Sequence, residues 1–172
     1  VGKTPYEATL RPGEVEVKLV PEIIDVALAT YETRVTLYPN IKTIIRRELK
    51  ETDEASSGDT ISFEKIGSRE ISLAIVSNPN SAQVSIDGAL IGFAPYKTST
   101  ITAGEHQIAV SAPGYKERTM AVRTVSGYKL TAVVKLAPSG EAVEQPPISE
   151  PEEPTVSLVE ILSTPTGFLR VR

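Results

Sequence analysis

Short runs in which apolar and polar residues alternate recur through the middle of the chain, and each ends on a turn dipeptide. Ala82-Gln83-Val84-Ser85-Ile86 alternates and meets Asp87-Gly88, a hairpin-turn pair in which Gly accepts a positive φ without steric cost. Gln107-Ile108-Ala109-Val110-Ser111 alternates and runs to Pro113-Gly114. Met120 and Val122 share a face before Ser126-Gly127, and Leu130, Ala132, Val134 and Leu136 share a face in the run after it. Turn signals spaced at about 8 to 12 residues with period-2 patterning predict an all-β fold, an antiparallel sandwich or barrel. Residues 71–76 are more continuously apolar and predict a strand buried on both faces. Ile61-Ser62-Phe63-Glu64-Lys65-Ile66 predicts one further strand, whose partner the pattern leaves open, after a polar, acidic loop at 51–58.

The N-terminal third follows the same plan. Gly2-Lys3-Thr4-Pro5-Tyr6 corresponds to Gly92-Phe93-Ala94-Pro95-Tyr96, and Pro12-Gly13-Glu14 to Ala103-Gly104-Glu105. Val15, Val17 and Leu19 then match His106, Ile108 and Val110, and Tyr31 matches Tyr115. Pro39-Asn40 falls where Ser126-Gly127 turns, and Leu49 closes the first copy as Leu136 closes the second. The first copy differs in an apolar insert at 23–29 and in Arg47 where the second has Val134. It also lacks counterparts of the second copy's opening strands, which predicts an edge that another strand must pair.

Composition narrows the chemistry. The 172 residues contain no Cys and one His, which removes disulfides, thiolate metal sites, cysteine nucleophiles and multi-histidine metal sites. The net charge of −4 argues against a nucleic-acid footprint, which needs clustered basic surface. No run approaches the roughly 20 apolar residues of a membrane helix. Charge is uneven: residues 137–155 hold Glu141, Glu144, Glu150, Glu152 and Glu153 with no Lys or Arg, beside Pro138, Pro146, Pro147, Pro151 and Pro154. That composition predicts a stiff, self-repelling linker. The opening without Met and the closing alternation Leu169-Arg170-Val171-Arg172 read as cuts within a longer protein.

Residues 71–136 resemble the PEGA domain of bacterial and archaeal surface proteins. The matching features are Ser77-Asn78-Pro79-Asn80-Ser81-Ala82 at the place of the name-giving Pro-Glu-Gly-Ala, then Val84, Ile86, Asp87-Gly88, Gly92 and Pro95, followed by Gly104-Glu105-His106, Gly114-Tyr115 and Leu136. Asn80-Ser81 departs from Glu-Gly, and Phe93-Ala94-Pro95 lacks the usual Thr before the Pro. Residues 2–49 look like the remainder of a preceding PEGA-like repeat. Thr164-Pro165-Thr166-Gly167-Phe168-Leu169-Arg170-Val171-Arg172 resembles the start of a bacterial Src-homology-3-like domain. The expected organisation is an incomplete PEGA-like copy at 1–52, an acidic loop plus extra strand at 53–70, a PEGA domain at 71–137, the linker at 138–155 and the Src-homology-3-like start at 156–172. The expected fold class is all-β, as tandem small antiparallel sandwiches. The resemblance implies an extracytoplasmic location in modular envelope and surface proteins, lipoproteins among them, with no catalytic residues, cofactor or metal.

Individual residues divide between chemistry and turn formation. His106 titrates near neutral pH and shares strand parity with Ile108 and Val110, which predicts a rim position on the core side. A catalytic role would need a carboxylate or nucleophile beside it in space. Asp87 reads as turn chemistry, and Pro79, Gly88, Gly92, Pro95, Gly104 and Gly114 as structural turn positions. Glu51, Asp53, Glu54 and Asp59 form an acidic set that lacks the alternating ligand spacing of a calcium loop. Lys42, Arg46, Arg47 and Lys50 make a basic cluster with Lys42 and Arg46 on one strand face, expected as solvated surface. Among the six tyrosines, Tyr96 and Tyr115 with Phe93 are the candidate glycan-contact residues; Tyr6 and Tyr31 recur at the matched places, which packing over turns explains equally. The expectation is a non-catalytic spacer that positions a neighbouring binding domain. Its partners would be a cell-wall polymer or another envelope protein, with no nucleic acid, no membrane span and a strand pairing at the incomplete first copy. The alternatives are direct glycan or peptidoglycan binding and assembly by strand exchange.

Overall fold

The computed structural model describes residues 3–22, 27–67 and 69–140; the linker beyond Gly140 and the 156–172 segment expected to open a Src-homology-3-like domain lie outside them. Every regular element among the described residues is a strand: β1 (Gly13–Leu19), β2 (Tyr31–Leu37), β3 (Ile44–Glu48), β4 (Ser57–Lys65), β5 (Ile71–Asn78), β6 (Gln83–Ile86), β7 (Ala89–Phe93), β8 (Tyr96–Thr98), β9 (Gly104–Ser111), β10 (Arg118–Thr124) and β11 (Tyr128–Lys135). They form a four-stranded sheet in the order β10-β9-β6-β7, a five-stranded sheet in the order β3-β4-β11-β5-β8, and the two-stranded hairpin β1-β2. The fold is all-β and sandwich-like.

The alternating runs place their apolar side chains in one core. Val84 from β6, Ile108 and Val110 from β9, Leu73 and Ile75 from β5, and Val134 from β11 are fully shielded from solvent, with Met120, Leu130 and Ile61 nearly so. Each such side chain is worth about 1.5 to 3 kcal/mol relative to leaving it exposed. Burial of β5 on both faces ends at Ile75, because Val76 is 40% exposed on the outer sheet face, where its neighbour across the ladder is Val133. The turns are built as the dipeptides require. Asp87 (φ 51°) and Gly88 (φ 81°) form the two-residue connection of β6 to β7, the backbone of a type I′ hairpin turn. Ser81 has φ 62°, which accounts for a Gly at this place in the name-giving motif.

Two features depart from the expected arrangement. One pair is parallel: β5 opens the sandwich and β11 closes it, and they lie side by side in the same direction from Tyr128↔Ile71 to Lys135↔Asn78. The intervening strands serve as a crossover through both sheets. The extra strand also begins earlier than the apolar pattern suggested. β4 starts at Ser57, takes Ser57 and Gly58 out of the loop expected at 51–58, and buries both together with Asp59 and Thr60.

β4 is the seam of the five-stranded sheet. It pairs antiparallel with β11 on one side and antiparallel with β3 on the other. The strands of the N-terminal third are therefore divided between the hairpin and this sheet. The hairpin runs from Gly13↔Leu37 to Leu19↔Tyr31, while β9 and β10 pair from Gly104↔Thr124 to Val110↔Arg118. Gly13 and Gly104 both open their strands at φ 144°, and Asn40 (φ 58°) and Gly127 (φ 85°) lie in the connections to β3 and β11.

Candidate functional site

Three strands each bring a charged side chain to a face they share with apolar residues. On β4, Asp59 shares parity with Ile61 and Phe63; on β3, Arg46 shares parity with Ile44; on β10, Arg118 shares parity with Met120 and Val122. They converge. The Arg46 Nε donates to one Asp59 carboxylate oxygen at 2.9 Å and the Arg118 Nε to the other at 2.7 Å. Asp59 is 1% exposed, whereas the Arg46 and Arg118 side chains are 45% and 26% exposed. The carboxylate is thus withdrawn from water and held by two charge-assisted bonds, and it ties β3 and β10 to β4. This corrects its expected place in an acidic loop. Asp53 is drawn away to Lys135, whose ammonium bonds its carboxylate at 2.7 Å and also its backbone carbonyl.

On the opposite face of β4, Thr60 meets the hairpin. Its hydroxyl lies 3.3 Å from the Tyr31 hydroxyl, and the Arg47 guanidinium stacks 3.8 Å from the centre of the Tyr31 ring, a cation–π contact. Burial would raise the Tyr31 hydroxyl's pKa, but bonds from Arg47 and Thr60 outweigh it and lower the value. Gly58 is required here: a Cβ would land on the Arg46 carbonyl oxygen and within 2.9 Å of the Arg47 Cα, at φ 153°.

The single histidine does find a carboxylate. Asp87 accepts from the Gln107 backbone N–H at 2.8 Å, and its second oxygen lies 2.7 Å from His106 Nδ1. The His106 Nε2 lies 3.0 Å from the Thr102 carbonyl oxygen, which can only accept, so Nε2 donates there. The bond to Asp87 raises the His106 pKa against the opposing effect of burial, with the Thr102 carbonyl adding to the rise. In turn His106 and the Gln107 amide hold the Asp87 carboxyl below its ordinary range. The charged imidazolium donates from both nitrogens, which latches the β6–β7 turn to β9. Asp87 therefore bonds across to the neighbouring strand, not only within its own turn. Both ring nitrogens are committed.

The remaining candidates are separated. Phe93 is 58% exposed on edge strand β7, whereas Tyr96 and Tyr115 are half-buried against the core. Tyr96 lies beneath Gly92, whose Cβ position is 3.5 Å from its ring. Gly114 turns between β9 and β10 at φ 78°, and Pro79 and Pro95 sit in the connections flanking β6 and β7. Three of the four basic side chains are paired, Lys42 with Glu7 at 2.9 Å, Arg46 with Asp59 and Lys50 with Glu48 at 2.8 Å, while Arg47 stacks on Tyr31 and its buried Nε and Nη1 make no hydrogen bond. A cleft of about 850 Å³ opens between the β2–β3 connection, Ile61 and Phe63 of β4, and the ends of β9 and β10. Among the described residues no three His, Asp or Glu side chains stand together as metal ligands, and no helix is long and apolar enough to cross a membrane.

Sequence reasoning left the Asp59 clamp and the Asp87–His106 latch unrecognised. A signal existed for the first: Arg118 and Arg46 sit on inward-facing parity, and a charge there needs a buried partner.

Residues 70–139 match the family model described as PEGA domain, the span that runs from β5 through β11, which supports a PEGA domain there. No curated protein matches the chain.

Proposed function

We propose that this chain is a non-catalytic, extracytoplasmic spacer of a modular envelope protein, whose neighbouring domain engages a cell-wall polymer or another envelope protein. The observation that carries the reading is the five-stranded sheet in which β4 joins β3 to the PEGA-matched strands. A shared central strand, clamped through Asp59, makes a stiff unit of defined length from parts that separate modules would leave free to swing. The committed nitrogens of His106, the paired basic side chains and the packed Tyr96 and Tyr115 support a scaffold role for groups that could otherwise act on a ligand. The resemblance to surface-protein modules supports the location, and the correspondence of β1-β2 with β9-β10 supports a first PEGA-like copy.

Co-sedimentation of residues 1–140 with purified sacculi tests the reading. A spacer is retained no more than an unrelated β protein of similar charge. Saturable retention that Phe93→Ala abolishes would replace it with direct glycan binding, for which the exposed Phe93 ring is the available stacking face.

A further inference from the structure

Among the described residues four strands end the two larger sheets: β10 and β7 the four-stranded one, β3 and β8 the five-stranded one. Charged side chains on an edge strand resist pairing with another chain. β10 carries Arg118 and Arg123, β3 carries Arg46, Arg47 and Glu48, and β8 carries Lys97. β7 carries no charge, and the uncharged run extends from Gly88 to Tyr96. Its register adds a second feature. Leu90 lies opposite Ser85 and Gly92 opposite Val84, so Ile91 is the extra residue of a bulge, and Phe93 lies opposite Gln83. Residues three apart on a regular strand point to opposite faces. The bulge re-aims them, so that Leu90 and Phe93 share the face turned away from the buried Val84. Ile91 packs against the core, while Leu90 and Phe93 stand 61% and 58% exposed. The edge that lacks charge is therefore also the edge that presents two large apolar side chains to solvent.

We propose that β7 pairs antiparallel with β7 of a second copy of this chain, about a two-fold axis that joins the two four-stranded sheets edge to edge. The strand is complementary to itself. With the axis between Ile91 and Gly92, Leu90 of each chain stands opposite Phe93 of the other, which gives two aliphatic–aromatic cross-strand pairs. No like charges meet along the run from Gly88 to Tyr96, whereas the same operation on β3 or β10 would bring arginines together. An acidic or basic strand from another protein would find no counter-charge on β7. A two-fold contact uses the same patch on both copies and closes at the dimer. Two strands of five residues make a small interface, so the dimer is weak and reversible. The pairing is independent of the spacer reading: sacculus retention leaves it untouched, and a chain that stays monomeric leaves a single spacer.

Sedimentation equilibrium of the full 172-residue chain, from about 10 μM to 1 mM, tests the pairing. The expected result is a monomer–dimer equilibrium with Kd on the order of 100 μM. Leu90→Lys and Phe93→Lys should each weaken it by about tenfold or more, because each places two ammonium groups at the dimer axis. Both side chains are exposed, so far-UV circular dichroism should show the fold retained. Lys at the equally exposed Val20 (63%) should leave the dimer unchanged. In amide NMR spectra the Leu90 and Phe93 resonances should shift with protein concentration while those of β10 stay fixed. A chain that remains monomeric at 1 mM overturns the proposal. So does association that continues past the dimer, that survives both Lys substitutions, or that shifts another edge with β7 unchanged.

Discussion

Replacing Arg118 with Met keeps the aliphatic stem on β10 and removes one of the two donors to Asp59. Removing one partner of a buried ion pair costs about 3 to 5 kcal/mol, because the other charge stays buried. Two features reduce that here. Arg46 still bonds the other carboxylate oxygen, and the Arg118 side chain is already 26% exposed, so solvent screens part of its contribution. The expected loss is about 2 to 3 kcal/mol, or a fall in Tm of about 6 to 12 °C for a unit of this size. Urea unfolding followed by far-UV circular dichroism reads it, since the chain has no Trp. The exposed Arg123 on the same strand is the control, and Arg123→Met should change stability by less than about 0.5 kcal/mol. Asp59→Asn combined with Arg118→Met should cost at least about 1 kcal/mol less than the two single losses together. If Arg118→Met matches Arg123→Met, or the double variant is additive, Asp59 does not clamp the two strands.

Further expectations follow from the same contacts. Because the folded pKa of His106 is raised, its contribution is complete below its ordinary value of 6.5 and is lost as pH rises through the folded value; that of Asp87, whose pKa is lowered, is lost as pH falls through its own folded value. The stability difference between the parent and His106→Gln should therefore be largest in mildly acidic solution and shrink on raising the pH, as thermal melts across a pH series would reveal. Gly58→Ala should cost on the order of 2 to 4 kcal/mol, because its Cβ meets the β3 backbone. Gly104→Ala, at φ 144° with open space around it, should cost only about 1 to 2 kcal/mol of backbone strain in the same urea assay. Leu73→Ala in the core should cost about 2 to 5 kcal/mol, whereas Phe93→Ala should stay within about 0.5 kcal/mol by chemical denaturation.

The sandwich was legible where burial and sequence pattern coincide. Alternation in β6, β9 and β11 named the inward residues, and Asp87-Gly88 fixed the turn between β6 and β7. β4 was legible only from Ile61 onward, because its first half is Ser57-Gly58-Asp59-Thr60, a composition that reads as loop. Those residues are buried by partners that lie far off in sequence: Arg46 and Arg118 reach Asp59 across separations of 13 and 59 residues. No local pattern encodes such a pairing. The His106–Asp87 latch spans 19 residues and depends on the register of β9 against β6, which alternation alone leaves undetermined by whole steps of two. Matched positions identify Tyr96 and Tyr115 as recurrent, but recurrence follows packing as readily as binding, and both rings lie against the core.

In the proposed spacer, β4 fuses the N-terminal strands and the PEGA-matched strands into one stiff unit. The absence of native cysteines allows spin labels to be placed at Lys18→Cys on β1 and Lys97→Cys on β8, and their separation measured by pulsed electron paramagnetic resonance. A stiff unit gives one narrow distance distribution that Gly58→Ala broadens. A broad or bimodal distribution in the parent chain would contradict it.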